Sequence, residues 1–149
     1  MTALAPGSAA PSIPGVAFSD GPLALFFYKV TCPVCQMVAP KTQTFAHAYP
    51  GRIIGIGQDP EEKLATFDQR FGMSFERMSD LPPYELSNAY GIRVVPTLFL
   101  IEDGNVTESV ESWDRDGFNR VSRRLADVTG MEYAPISGEG DDLPPFRPG

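Results

Sequence analysis

Cysteine is scarce in this sequence, which has only Cys32 and Cys35. Small secreted domains are held together by several disulfides, so two cysteines three positions apart exclude a framework of that kind. The pair is therefore either chemically active or metal-binding. Structural zinc takes four Cys or His ligands, and the sequence adds only one histidine, His47. We therefore predict no metal site and no other cofactor.

Positive charge is also scarce, with 12 Lys and Arg against 19 Asp and Glu and a net charge of -7. This balance argues against a nucleic-acid partner, because phosphate binding needs clustered cations. The longest apolar run, Leu23–Tyr28, is far shorter than the roughly 18 residues of a membrane span. The first 28 residues contain no Lys or Arg and no signal-like apolar core, which predicts a cytoplasmic location. Export is the alternative if a signal sequence has been removed.

The length of 149 residues is typical of one domain with its own hydrophobic core. Residues 1–19 are rich in Ala, Pro, Gly and Ser, which predicts an extended N-terminal lead-in. Residues 20–130 are predicted to form the folded domain. Residues 131–149 hold four acidic residues, four prolines and three glycines, which predicts a flexible acidic tail.

Strand-like and helix-like segments alternate through residues 20–130. The residue before the second helix, Asp59, has the chemistry of an N-cap and is followed by Pro60 and Glu62, which would complete a capping box. The alternation predicts an α/β fold with a mixed sheet and helices on both faces. The predicted elements are strand 23–28, helix 33–49, strand 52–57, helix 60–71, weak strand 74–78, short helix 83–90, hairpin strands 97–101 and 106–112, and a helix after Asp114 with Phe118, Val121, Leu125 and Val128 on one face.

The two cysteines lie in a Cys-Pro-Val-Cys motif at the junction between the first strand and the first helix. The free N–H groups and the dipole of a helix N-terminus stabilise an anion, so the thiol of Cys32 should have a lowered pKa. Cys35 is placed one helical turn inward, where it can attack a mixed disulfide on Cys32. We therefore predict that Cys32 is the nucleophile and Cys35 the resolving thiol.

Two longer motifs resemble the thioredoxin superfamily. The run from Cys32 to Pro40, CPVCQMVAP, is similar to the thioredoxin active-site helix, and the run from Tyr90 to Val106, YGIRVVPTLFLIEDGNV, resembles the second signature of that family. The resemblance implies a thioredoxin fold. About 30 residues separate Gly57 from Tyr90, and an extra helix and strand there resemble the TlpA and ResA-like thioredoxins or the peroxiredoxins. We place the chain nearest to the TlpA group.

The resemblance also implies an activity and a substrate site. The protein would be a thiol-disulfide oxidoreductase that reduces disulfide-containing proteins and is itself reduced by an upstream thiol. The Val95–Pro96 bond would be cis and lie beside the sulfurs, and the backbone of Val95 would pair with an extended substrate segment. Thr31, Val95 and Pro96 are thus the predicted substrate-binding residues.

The sequence departs from the thioredoxin pattern at three positions that tune the active site. Phe26 stands where thioredoxins carry a buried acid, Thr31 where they carry a tryptophan, and Val38 where ResA-like proteins carry an acid. Cys35 must therefore lose its proton in another way. Asp59 and Glu111, near strand ends, are the candidate replacement acids.

Two alternative functions stay open. A peroxiredoxin-like peroxidase would carry a Pro-x-x-x-Thr-x-x-Cys signature, which needs Pro at position 25 and Thr at position 29, but Leu25 and Lys29 occupy them. A redox-sensing or binding module could use the same scaffold without catalysis, because fold does not fix function. The acidic, proline-rich residues 131–149 are the feature that favours this second alternative.

Overall fold

The computed structural model describes residues 2–149. The segment 2–17 contains no regular element beyond turns and an isolated bridge, and a short 3-10 helix spans Phe18–Asp20. No helix within residues 2–149 is both long and apolar enough to cross a bilayer. The strands and helices are β1 (Leu23–Tyr28), α1 (Pro33–Ala48), β2 (Ile53–Gly57), α2 (Glu61–Phe71), β3 (Arg77–Ser79), α3 (Glu85–Ala89), β4 (Thr97–Glu102), β5 (Asn105–Glu111), β6 (Trp113–Asp114), α4 (Arg115–Thr129) and β7 (Phe146–Arg147).

Five strands form the central sheet in the order β3-β2-β1-β4-β5. All six residues of β1 are buried, as expected for a central strand covered on both faces. It pairs in parallel with β2 and antiparallel with β4, so the sheet is mixed. The predicted hairpin β4–β5 turns at Asp103 and Gly104, which both have positive φ. Strands β6 and β7 form a separate two-stranded ribbon.

The two faces of the sheet are covered differently. Residues of α1, α2 and α4 share one core cluster with the β1 side chains Ala24, Phe26 and Tyr28. The opposite face, centred on Leu25 and Phe27, is covered by α3 and by the N-terminal lead-in. This arrangement confirms the predicted α/β fold with helices on both faces. Elements α2 and β3 form the predicted insertion, although β3 is shorter than the sequence suggests.

Two local predictions are wrong. Asp59 does not cap α2, because the N-cap position is held by Pro60 and the Asp59 carboxylate instead accepts a hydrogen bond from the Val30 N–H at 2.8 Å. The Asp59 carboxylate is buried between the loops that follow β1 and β2, and a buried polar group takes a hydrogen-bond partner within the protein. Val128 is exposed, since the core stripe of α4 ends one turn earlier at Leu125 and Ala126.

The lead-in packs against the domain. Ile13 is buried on the face opposite α1, and the Tyr90 hydroxyl donates a 2.6 Å hydrogen bond to the Pro11 carbonyl. Ala9 forms an isolated bridge with Asn105 at the edge of β5. The lead-in thus covers part of the sheet face that α3 leaves open. The boundary predicted at residue 19 stays a prediction.

Residues 131–149 lie against the domain as well, although their composition suggests a flexible tail. Ile136 is buried in the core cluster of α1 and α4, and the Ala134 N–H donates to the Tyr49 hydroxyl at 3.0 Å. Further along, the Trp113 indole donates to the Pro144 carbonyl at 2.7 Å. The segment has too little apolar surface to order itself independently, and it uses the surface of the domain instead. The boundary at residue 130 stays a prediction.

Candidate active site

The first turn of α1 presents the two cysteines in different environments. Cys32 is the N-cap, with φ -78° and ψ 116°, and Pro33 follows at the first helical position, where it lacks no needed hydrogen bond. The Cys32 sulfur accepts the Cys35 backbone N–H at 3.2 Å. Cys32 is half-buried and Cys35 is fully buried, and both are free thiols. The helix start therefore exposes one sulfur and shields the other.

The loop before Cys32 is held on three sides. The Asp59 carboxylate binds the Val30 N–H, and the Gln36 side-chain amide donates to the Val30 carbonyl at 2.8 Å. The Cys32 N–H donates to the Lys29 carbonyl at 3.1 Å. Asp59 and Gln36 thus fix the position of the first sulfur by acting on the backbone. Gln36 was missed by the sequence analysis, although a polar residue one turn into the helix is the signal that could have found it.

Val95 and Pro96 lie next to the exposed sulfur. The peptide bond between them is cis, and Pro96 is buried while Val95 is half-buried. The Cys32 thiol donates to the Val95 carbonyl at a sulfur–oxygen distance of 3.5 Å. The Thr97 hydroxyl donates to the Val94 carbonyl at 2.8 Å, which ties the loop to the start of β4. The structure thus brings Cys32, Cys35, Val95 and Pro96 together.

The pKa values of the two thiols move in opposite directions. Hydrogen bonding to the Cys35 side chain, together with the backbone N–H groups of Cys35 and Val34, lowers the pKa of Cys32 to about 6. Burial and the hydrogen bond with Cys32 raise the pKa of Cys35 far above its ordinary value. The lowered pKa favours the thiolate form of the accessible sulfur, whereas the raised pKa favours the protonated form of the inner one. A nucleophilic thiol has to ionise readily, and a resolving thiol has to stay protonated until the second step, so the two pKa shifts suit these two roles.

The other predicted residues are less closely involved. Thr31, a predicted substrate-binding residue, is exposed on the loop beside Cys32, and His47, which was not predicted to belong to the site, is exposed near the far end of α1. Glu111 is paired with Arg93 through two hydrogen bonds of 2.8 and 2.9 Å, and Asp59 holds Val30. Both candidate replacement acids therefore have other partners. Their role as proton acceptors for Cys35 stays a prediction.

Apolar side chains fill the positions where related proteins carry acids. Phe26 and Val38 are fully buried in the same core cluster as Cys35. The ring of Phe26 stacks on that of Tyr28 at a centroid distance of 5.3 Å. This apolar wall explains why burial dominates the raised pKa of Cys35.

Comparison with known proteins identifies the family. The profile of the AhpC/TSA family matches residues 15–109, which contain both cysteines, the cis-proline loop and four of the five strands of the central sheet in full. The chain belongs to the AhpC/TSA family. The matched part of this AhpC/TSA protein ends within β5, so α4 and residues 130–149 lie outside the match.

Individual relatives of this AhpC/TSA protein are thioredoxin-like. The thioredoxin of Pseudomonas aeruginosa is 30% identical over 88 residues, which make up 59% of this chain and 63% of that protein. The chain thus spans less than two thirds of the length of that relative. The thioredoxin domain of a thiol-disulfide oxidoreductase from Bacteroides vulgatus has a TM-score of 0.69 at 21% identity, covering 82% of this chain and 99% of that one.

A second solved structure supports the same fold. A thiol:disulfide interchange protein of the thioredoxin family from Chlorobium tepidum has a TM-score of 0.64 at 22% identity. The alignment covers 82% of this chain and 97% of that one. At such identities the likeness establishes a thioredoxin-like fold, as the sequence motifs predict.

Proposed function

We propose that this protein is a thiol-disulfide oxidoreductase that reduces disulfides in protein substrates. The observation that carries the proposal is the contrast between two thiols on one helical turn. Cys32 is accessible and has its pKa lowered to about 6, whereas Cys35 is buried and has its pKa raised. A single reactive cysteine would not need a second, protonated thiol beside it. The pair suits a two-step exchange.

In the first step the Cys32 thiolate attacks one sulfur of the substrate disulfide. A bond forms between the two sulfurs, the substrate S–S bond breaks, and the second substrate sulfur leaves as a thiolate that takes up a proton. Cys35 then loses its proton and attacks the Cys32 sulfur, which breaks the mixed disulfide and releases the first substrate sulfur as a thiolate that takes up this proton. The substrate gains two electrons and two protons, and the protein ends with a Cys32–Cys35 disulfide.

The proposed substrate site is the main chain of Val95, next to Pro96 and Thr31. The Val95 carbonyl already lies 3.5 Å from the Cys32 sulfur, so a peptide that pairs with Val95 would bring its own disulfide to Cys32. Pairing of this kind recognises the main chain more than the side chains. We therefore propose that unrelated proteins can serve as substrates if their disulfide lies in an extended segment.

The direction of the exchange and the subgroup are part of the same proposal. We propose net reduction in a cytoplasmic location, where an upstream thiol would restore the dithiol. The α2–β3 insertion and the likeness to thiol-disulfide oxidoreductases support a place in the TlpA and ResA-like group.

An insulin-reduction assay tests the proposal with Cys32→Ser, Cys35→Ser and wild-type protein. We expect both variants to lose turnover, and Cys35→Ser to accumulate a mixed disulfide with the substrate because the second step is removed. The AhpC/TSA match makes peroxide consumption the second activity to measure. Peroxide consumption without insulin reduction would overturn the exchange reaction in favour of a peroxidase. The absence of both activities would favour a binding module.

The pH dependence of Cys32 alkylation is a second test. Because the folded pKa lies below that of an ordinary thiol, the alkylation rate should rise through a midpoint near pH 6. A midpoint near about 8.5, the value of an unperturbed cysteine, would contradict the proposed activation. The same shift makes the ionised thiol stabilising above its unfolded pKa. This contribution is lost as the pH falls through about 6, and unfolding of wild type against Cys32→Ser measures it.

A further inference from the structure

Residues 146–149 run along the edge of the domain and reach the Val95 carbonyl. Phe146 and Arg147 form β7 and pair with β6, and the Gly149 N–H donates to the Ser112 hydroxyl at 3.0 Å. A Cβ atom placed on Gly149 would lie 2.8 Å from the Val95 carbonyl carbon, closer than real Cβ atoms come. The main chain of residue 149 is therefore in direct contact with Val95.

The contacted surface is the one that the exchange reaction needs. The Cys32 sulfur approaches the same Val95 carbonyl at 3.5 Å, and the Ser112 N–H donates to the Pro96 carbonyl at 2.8 Å. Ser112 and the Val95 main chain thus form one small surface beside Cys32, which we call the docking strip. Gly149 lies on this docking strip.

We propose that residues 146–149 occupy the docking strip as an internal ligand, and that an extended protein substrate must displace them to reach Cys32. This inference rests on the proposed function, because it concerns the peptide site of that reaction. The C-terminal segment thus limits the access of protein substrates to Cys32. The segment contacts the strip through its main chain, as a bound peptide would.

The segment has a firmly held base and a loosely held end. At its base, Ile136 is 2% exposed, the Arg115 guanidinium donates to the Leu143 carbonyl at 2.7 Å, and the Trp113 indole donates to Pro144. Residues 145–149 are exposed, and 55% of Phe146 is open to solvent. Detaching residues 146–149 therefore uncovers little apolar surface, and a competing peptide can do so while the base stays in place.

The contact with Val95 provides a sharp test, because only glycine fits at position 149. Gly149→Ala places a methyl group against the Val95 carbonyl, and Ser112→Gly removes the hydroxyl at a position whose φ of 69° glycine adopts readily. Gly140→Ala is the matched control, because a Cβ there meets nothing within 4 Å. All three variants keep both cysteines.

The measurement is the ratio of two rates at Cys32 of the reduced protein. One is exchange with a short extended peptide whose cysteine carries thionitrobenzoate, and the other is alkylation by iodoacetamide, which needs no peptide site. Gly149→Ala and Ser112→Gly should raise the peptide rate about fivefold, as loss of one hydrogen bond would, with the iodoacetamide rate unchanged. Gly140→Ala should change neither rate.

The outcomes separate this inference from the proposed function. An unchanged or lower peptide rate in both variants overturns the internal ligand, and so does an equal rise with both reagents, which would mean that the thiol itself has changed. If wild-type protein fails to reduce insulin, the proposed function fails. The activated peptide still reacts with any accessible thiolate, so its rate ratio decides the occupancy of the docking strip in that case too.

Discussion

The lead-in, residues 2–19, and the C-terminal segment, residues 131–149, lie on opposite faces of the same sheet. The lead-in contains no charged residue and inserts Ile13 into the face away from the cysteines. The C-terminal segment carries four acidic residues, and a polar network holds it on the face that contains Cys35. Both ends insert an isoleucine into a core, but only the C-terminal segment continues into an exposed end, residues 145–149, whose polar contacts can be replaced by water or by a substrate.

The largest effect is expected from truncating the apolar anchor at each end. Ile13→Ala and Ile136→Ala each remove a side chain that is at most 3% exposed, so each should lower the free energy of unfolding by about 2–5 kcal/mol. Only Ile136→Ala should also raise the peptide-to-iodoacetamide rate ratio at Cys32. Chemical denaturation measures the free energy of unfolding, and the two rates at Cys32 give the ratio. A rise in the ratio for Ile13→Ala would contradict the separation of the two ends on opposite faces of the sheet.

A smaller loss of stability is expected from removing Arg115, the polar anchor of the C-terminal segment. Arg115 donates to the Ser137 hydroxyl at 3.0 Å and to the Leu143 carbonyl at 2.7 Å. Arg115→Ala should cost about 2 kcal/mol in denaturant unfolding, because two hydrogen bonds from a charged donor are lost. The matched control on the same helix is Arg120→Ala, which breaks an exposed ion pair with Glu108 and should cost less than about 1 kcal/mol. Equal losses would contradict the anchoring role of Arg115.

The features that could be predicted from the sequence are those determined by short, continuous stretches of the chain. The apolar run Leu23–Tyr28 and the Asp103-Gly104 turn identify a central strand and a hairpin because each pattern is local. The Cys-Pro-Val-Cys motif predicts the helix start and the reactive thiol for the same reason. These elements account for most of the fold and for the two sulfurs of the site.

The features that were not predictable depend on partners far away in the chain. Asp59 has the local chemistry of an N-cap, but its carboxylate binds Val30, 29 positions earlier. Ile13 and Ile136 are single apolar residues in polar or proline-rich segments, and composition does not reveal the surface that receives them. The contact between Gly149 and Val95 likewise requires the path of the whole C-terminal segment.

Besides backbone hydrogen bonds to Tyr90, Gly104 and Val106, the lead-in accepts a hydrogen bond from one side chain of the domain, and breaking that bond should have a modest effect. The Tyr90 hydroxyl donates to the Pro11 carbonyl at 2.6 Å, while its ring packs against Phe27 and Phe99. Tyr90→Phe keeps the ring and removes the donor, so unfolding should become easier by about 1 kcal/mol. Both rates at Cys32 should stay as in the wild type. A changed rate would mean that the two ends communicate through the sheet.

The smallest effect is expected from acid, which should loosen only the C-terminal segment. Hydrogen bonds from the Ser137 hydroxyl and Lys41 hold the pKa of the Asp141 carboxyl well below its usual range. The ionised carboxylate is therefore fully stabilising above the usual Asp pKa of about 3.9, and the contribution is lost as the pH falls towards the lower folded pKa. Trp113, the single tryptophan, donates to Pro144 and should report the loosening by fluorescence.

Asp141→Asn is the matched variant for the acid titration, because the amide keeps the shape of the side chain and does not titrate. It should show the loosened fluorescence already at neutral pH and no further change in mild acid. Residues 2–19 contain no titratable side chain, so the lead-in should stay in place over the same range. A wild-type fluorescence that is constant from pH 7 to below about pH 2 would show that the carboxylate does not hold the segment, and would remove the electrostatic difference between the two ends.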